Sequence, residues 1–100
     1  MPTVIAVDPI EFKFGADKHS TRTELKTLSN HPDANHVILT LQSFDAEYTN
    51  ANQFGFGRIQ VALKTVSLQT AQCTMTLRDD TQNIREWAGS VDAIATFYGA

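Results

Sequence analysis

Between Ala71 and Arg78 the chain alternates apolar and polar residues without a fault: Ala71, Cys73, Met75 and Leu77 against Gln72, Thr74, Thr76 and Arg78. Successive side chains on an extended strand point to opposite faces, so the first set enters a core while the second stays in water. Similar runs precede and follow this one. The pattern predicts an all-β chain, an antiparallel sandwich of about six strands, with no long helix.

The first extended segment spans Val4 to Phe14, with Ile10, Phe12 and Phe14 on one face and Glu11 and Lys13 on the other. Pro9 removes a ladder donor in its middle and so marks a bulge, a break or an edge position. Val4 to Val7 thus read as a separate arm, and residues 1–8 as an N-terminal arm of a single domain of residues 1–100. Thr21 to Leu28, with its charges and threonines, suits an exposed edge strand, a helix being the competing reading. His36 to Phe44 carries bulk on both faces: Val37, Leu39 and Leu41 on one, Ile38 and Phe44 on the other. That predicts a central strand whose second side is covered, in one reading by another subunit. Asp45 to Gln53 reads as a polar loop. The segment from Phe54 sets Ile59, Val61 and Leu63 against Gln60, Ala62 and Lys64, and changes phase near Thr65, which is the trace of a bulge. Arg78 to Asn83 is a second polar loop, followed by a short segment through Trp87. Gly89 and Ser90 then lead into a last strand with Val91, Ala93, Ala95 and Phe97 inward.

One hundred residues are enough for one modest core and too few for two. Eight basic against eleven acidic residues give a net charge of −3, and the basic residues are scattered. Phosphate backbones are bound by clustered Lys and Arg, so nucleic acid is not an expected partner. No segment approaches the roughly 18 apolar residues needed to cross a bilayer, and no basic region with a long apolar run opens the chain as a signal peptide would. The expectation is a soluble protein, cytoplasmic or built into a particle, without membrane insertion. The single Cys73 excludes an intrachain disulfide and reads as a buried thiol.

Catalytic signatures are absent. His19, His31 and His36 match no compact metal-ligand spacing. Gly55-x-Gly57 lacks a third glycine and opens a strand, so it is no phosphate cradle. Asp79 and Asp80 are adjacent carboxylates, whereas paired acid–base chemistry needs opposed groups with separated pKa values. The lone cysteine has no evident base, and no serine sits in a nucleophile elbow. The chain is therefore expected to be non-enzymatic, with no cofactor and no metal. For ligand contact the candidates are Arg78, Asp79, Asp80, Trp87, Lys64, Asp45 and Tyr48, carried by the two polar loops and the strands beside them. Carboxylates serve hydroxyl groups, guanidinium forks are bidentate, and an indole can stack on a sugar or cap a core.

The order of segments from Val37 to the C-terminus resembles the H-type lectins, small agglutinins that recognise N-acetylgalactosamine. The residues that carry it are the strand Val37 to Asp45, the strand Arg58 to Ser67, the strand through Cys73 and the last strand from Val91 to Ala95. The resemblance implies a six-stranded antiparallel sandwich that assembles as a trimer, or as two trimers, with sugar sites shared between subunits. It departs from the family at the sugar site. The loop from Arg78 has no aromatic residue before Trp87, Ala93 stands where the last strand usually has a tryptophan, and Lys64 or Ala62 replaces the strand arginine. An ammonium does not mimic the bidentate fork. Two functions are the expectations: an oligomeric structural or attachment component of an assembly such as a phage or virus particle, with other assembly subunits as further partners, or a carbohydrate-binding protein for galactose-type glycans. The departures favour the first.

Overall fold

The computed structural model describes residues 2–49, 56–79 and 85–100, with backbone alone for Phe56 and Asp79. Six strands run through them: β1 (Thr3–Asp17), β2 (Thr21–Thr27), β3 (His36–Tyr48), β4 (Phe56–Ser67), β5 (Thr70–Asp79) and β6 (Trp87–Gly99). They form two three-stranded sheets, ordered β1-β6-β3 and β2-β5-β4, with every neighbouring pair antiparallel. No helix occurs among the described residues. The all-β expectation holds, and the segment from Thr21 is a strand at a sheet edge.

The most cleanly alternating strands take the two central places. A central strand has both edges paired and its inner row covered by the facing sheet, so its apolar residues are the most completely dried. Val91, Ala93, Ala95 and Phe97 of β6 and Ala71, Cys73, Met75 and Leu77 of β5 are all buried. With Phe12, Phe14, Leu28, Val37 and Trp87 they make one continuous core between the layers. The molecule is elongated along its strands, 51 × 20 × 17 Å.

Pro9 does not break β1. Asp8, Pro9 and Ile10 pair in unbroken register with Ala95, Ile94 and Ala93, and β1 is an edge strand, where a missing N–H is tolerated. Of residues 3–8, expected from Pro9 to form an arm, all but Ile5 are register partners of residues 95–99. The ladder irregularity near this end falls between Val4 and Ala6. In β4 the register shifts between Thr65 and Ser67, where the apolar phase changes.

Three expectations are corrected. First, β3 is an edge strand and not a central one, and it bulges between Leu41 and Ser43. The extra residue rotates the remainder of the strand, so Phe44, the partner of Val91, lies on the inner row with Leu41 instead of beside Ile38. Second, Asp45 to Tyr48 continue β3: Asp45 and Glu47 occupy the wet outer face, while Ala46 and Tyr48 alternate inward opposite Gly89 and Trp87. Third, Gly89 and Ser90 lie inside β6. A Cβ at Gly89 would stand 2.5 Å from the Asp45 carbonyl oxygen, so glycine is what lets the two backbones approach here.

Candidate functional site

The sequence-derived ligand residues are spread over three regions of the fold. Arg78 and Lys64 lie on the outer face of the β2-β5-β4 sheet, as the register partners of Arg58 and Gln72. Asp45 lies on the outer face of the other sheet, opposite Ser90. Tyr48 and Trp87 are partners on that sheet's inner row. Asp80 and the side chain of Asp79 fall outside the described residues, as do residues 50–53 of the first polar loop. No single site gathers the described members of the set.

Trp87 is the clearest case. Its indole is 0% exposed and donates through Nε1 to the His19 carbonyl oxygen at 2.8 Å. Phe14 stacks on it with ring centroids 5.9 Å apart. The guanidinium of Arg22 covers it, with Cζ 4.0 Å from the ring centroid, while Nη2 donates to the Trp87 carbonyl at 2.8 Å and Nη1 to the Gly15 carbonyl. Partial burial of Arg22 lowers its pKa from the ordinary value, opposed by the charges of Asp17 and Glu24. The indole therefore caps the core, and the surface a sugar would stack on is already occupied by Arg22.

Arg22 belongs to an inner row that differs between the two flanks, although the β1–β2 flank also exposes Val4 and Val7 of β1 and Leu25 of β2. The strand β1 runs beside β2 along one flank, and β3 beside β4 along the other. On the first flank the inner row of β2 consists of Arg22, Glu24 and Lys26, facing their register partners Met75, Cys73 and Ala71. Inward-pointing charges of this kind discourage a second chain from adding to the edge. On the second flank the inner row is apolar and open: Leu41 and Phe44 of β3 are 43% and 46% exposed, and Ile59 of β4 is 43% exposed. Ile38, on the outer row of β3, is 45% exposed. An edge strand thus shows hydrophobic side chains on both faces. Leu41 and Ile59 read from sequence as core residues, because period-two burial does not tell an edge strand from a central one; only the strand order exposes them.

His31, His19 and Cys73 are each held in local contacts or buried. His31 caps one end of the core, with Nε2 2.7 Å from Asp8 Oδ2 and its ring 4.4 Å from that of Phe97. At the opposite end His19 hydrogen-bonds Asp17 through both its backbone N–H and its ring, which holds the Asp17 carboxyl below its usual pKa. Burial pushes the Cys73 thiol up to about 11. Among the described residues no group of three His, Cys, Asp or Glu side chains is placed to hold a metal ion, and no helix is long and apolar enough to cross a membrane.

No protein-family model matches the chain, and no curated protein or solved structure matches it. The functional reading accordingly comes from the geometry of the flanks and faces.

Proposed function

We propose that this protein is a non-enzymatic subunit that associates with copies of itself along the β3–β4 flank, and that the resulting oligomer is a structural or attachment component of a larger assembly such as a phage or virus particle. The observation that carries the reading is the apolar flank of Ile38, Leu41, Phe44 and Ile59. A bare edge strand with hydrophobic residues on both faces is a template for unwanted pairing, and covering it removes the hazard. Each of these side chains has nearly half its surface left to bury, worth about 1 kcal/mol apiece. Eight of them at a two-fold contact contribute about 8 kcal/mol, against an association cost of roughly 4–15 kcal/mol. The free N–H and C=O groups of the β3 edge would supply the balance. A trimer, as the H-type lectin resemblance implies, would instead set this flank against a different surface of the next copy.

The galactose-type lectin reading has weaker support, since the indole lies under Arg22 and Asp45 and Arg78 occupy different sheets. Light scattering on the eluting protein tests the proposal. The wild type should elute as a multiple of 11.1 kDa, and Phe44→Glu and Ile59→Lys as folded monomers with an unchanged β-sheet circular dichroism spectrum. A monomeric wild type, or variants that keep the oligomer, would reject it.

A further inference from the structure

The outer face of the β2-β5-β4 sheet holds a second feature, independent of the apolar flank. Arg58 and Arg78 are direct register partners on adjacent antiparallel strands, with side chains on the outer face. Like charges set opposite each other in a sheet are destabilising unless something lies between them. Neither arginine has a carboxylate within ion-pair distance among the described residues. Arg58 donates through Nε and Nη2 to Gln60 Oε1, at 3.2 and 2.7 Å, which fixes the plane of its guanidinium. The Nε of Arg78 is shielded from solvent and has no hydrogen-bond partner.

The two arginines stand in a trough of about 610 Å³ whose floor is polar: Gln60, Thr21, Thr74 and Thr76 line it. Thr21 and Thr76 share a hydrogen bond of 2.9 Å across the strands, and Thr74 makes the same bond with Thr23. Each hydroxyl keeps further acceptor capacity. Among the described residues that line it, the trough has no carboxylate and no aromatic ring. Two guanidinium groups beside a row of hydroxyls and an amide match an anionic group that is itself surrounded by hydroxyls.

We propose that this trough binds an oxyanion flanked by hydroxyl groups, a sulfate, phosphate or carboxylate borne on a saccharide-like carrier, with Arg58 and Arg78 gripping the anion and the threonine row and Gln60 meeting the hydroxyls. Nucleic acid shares the anion but calls for stacking rings or clustered positive charge, and the chain has a net charge of −3. Isothermal titration of the full chain at low ionic strength tests this with three probes: a sulfated disaccharide, its desulfated counterpart and inorganic sulfate. The sulfated disaccharide should bind, inorganic sulfate should bind more weakly, and the desulfated sugar should not bind. Arg58→Gln and Arg78→Gln should each weaken the disaccharide about tenfold or more, as loss of a charge-assisted contact does. Thr74→Val should weaken the disaccharide and leave inorganic sulfate unchanged. All three substitutions lie on the outer face, so circular dichroism should be unaltered, and Ile59→Lys should bind as the wild type does. Equal affinity for inorganic sulfate and the sulfated disaccharide would overturn the saccharide carrier. Binding that survives both arginine substitutions, or that the desulfated sugar matches, would overturn the site.

Discussion

Arg22 is the residue whose removal the fold should feel most for a side chain that is not itself buried. Arg22→Ala takes away a cation held 4.0 Å from the Trp87 ring centroid and 5.7 Å from that of Phe14. A partly desolvated cation–π contact is worth about 1–2 kcal/mol. The same change strips two carbonyl oxygens, those of Gly15 and Trp87, of a charged donor. At the rim of the molecule water replaces part of each bond, leaving about 1 kcal/mol apiece. The Nε of Arg22 is buried without a partner, so its loss returns some of this. The expected destabilisation is about 2–3 kcal/mol. Arg22→Met keeps an apolar stem over the indole and should cost roughly half as much. Trp87 is the one tryptophan of the chain, so its fluorescence reports on this corner directly during urea unfolding at fixed protein concentration. The Ala variant should show a lower midpoint, an unchanged slope and red-shifted native emission. A change within about 0.5 kcal/mol, with native emission unmoved, would refute the view that Arg22 seals the core.

Gly89→Ala places a methyl group against the Asp45 carbonyl oxygen and the Ala46 Cα, backbone atoms that yield only if β3 and β6 separate. A loss of about 1–3 kcal/mol in urea unfolding is expected, and a neutral change would show that the strands are not so close. The Cys73 thiol should resist aromatic disulfide reagents in the native protein and react only as fast as the protein opens. Its folded pKa of about 11 exceeds the ordinary 9.0, so the stability linked to the neutral thiol is complete below pH 9 and is lost as pH rises towards 11, a difference of about 3 kcal/mol. Denaturation of Cys73→Ala and wild type across pH 8 to 11 measures this: only the wild type should show that extra loss, while rapid native-state labelling would contradict the buried placement.

Much of the fold is legible in the residues themselves. The faultless alternation of β5 and the inward Val91, Ala93, Ala95 and Phe97 of β6 identify the two strands that build the core, and the phase change near Thr65 marks a real register shift. Local pattern fails where pairing overrides composition. Asp45 and Glu47 look like loop residues, yet an outer strand face suits them as well, and Gly89 looks like a turn although it is a close backbone contact. The bulge after Leu41 has no glycine or proline to announce it, so alternation alone puts Phe44 on the wrong face. The candidate ligand residues are scattered by strand order, which alternation does not encode. The Arg58–Arg78 pair, separated by a whole hairpin, comes together only through register, and so does the exposed row of Leu41, Phe44 and Ile59.

If the β3–β4 flank is where copies of the chain meet, folding and association are linked, and stability must depend on concentration by mass action. Thermal unfolding over roughly a thousand-fold range of protein concentration reads this directly. The midpoint of the wild type should climb with concentration, while that of Ile59→Lys should be lower and flat. A wild-type midpoint that stays constant across the range, and equals that of the variant, would contradict self-association through this flank.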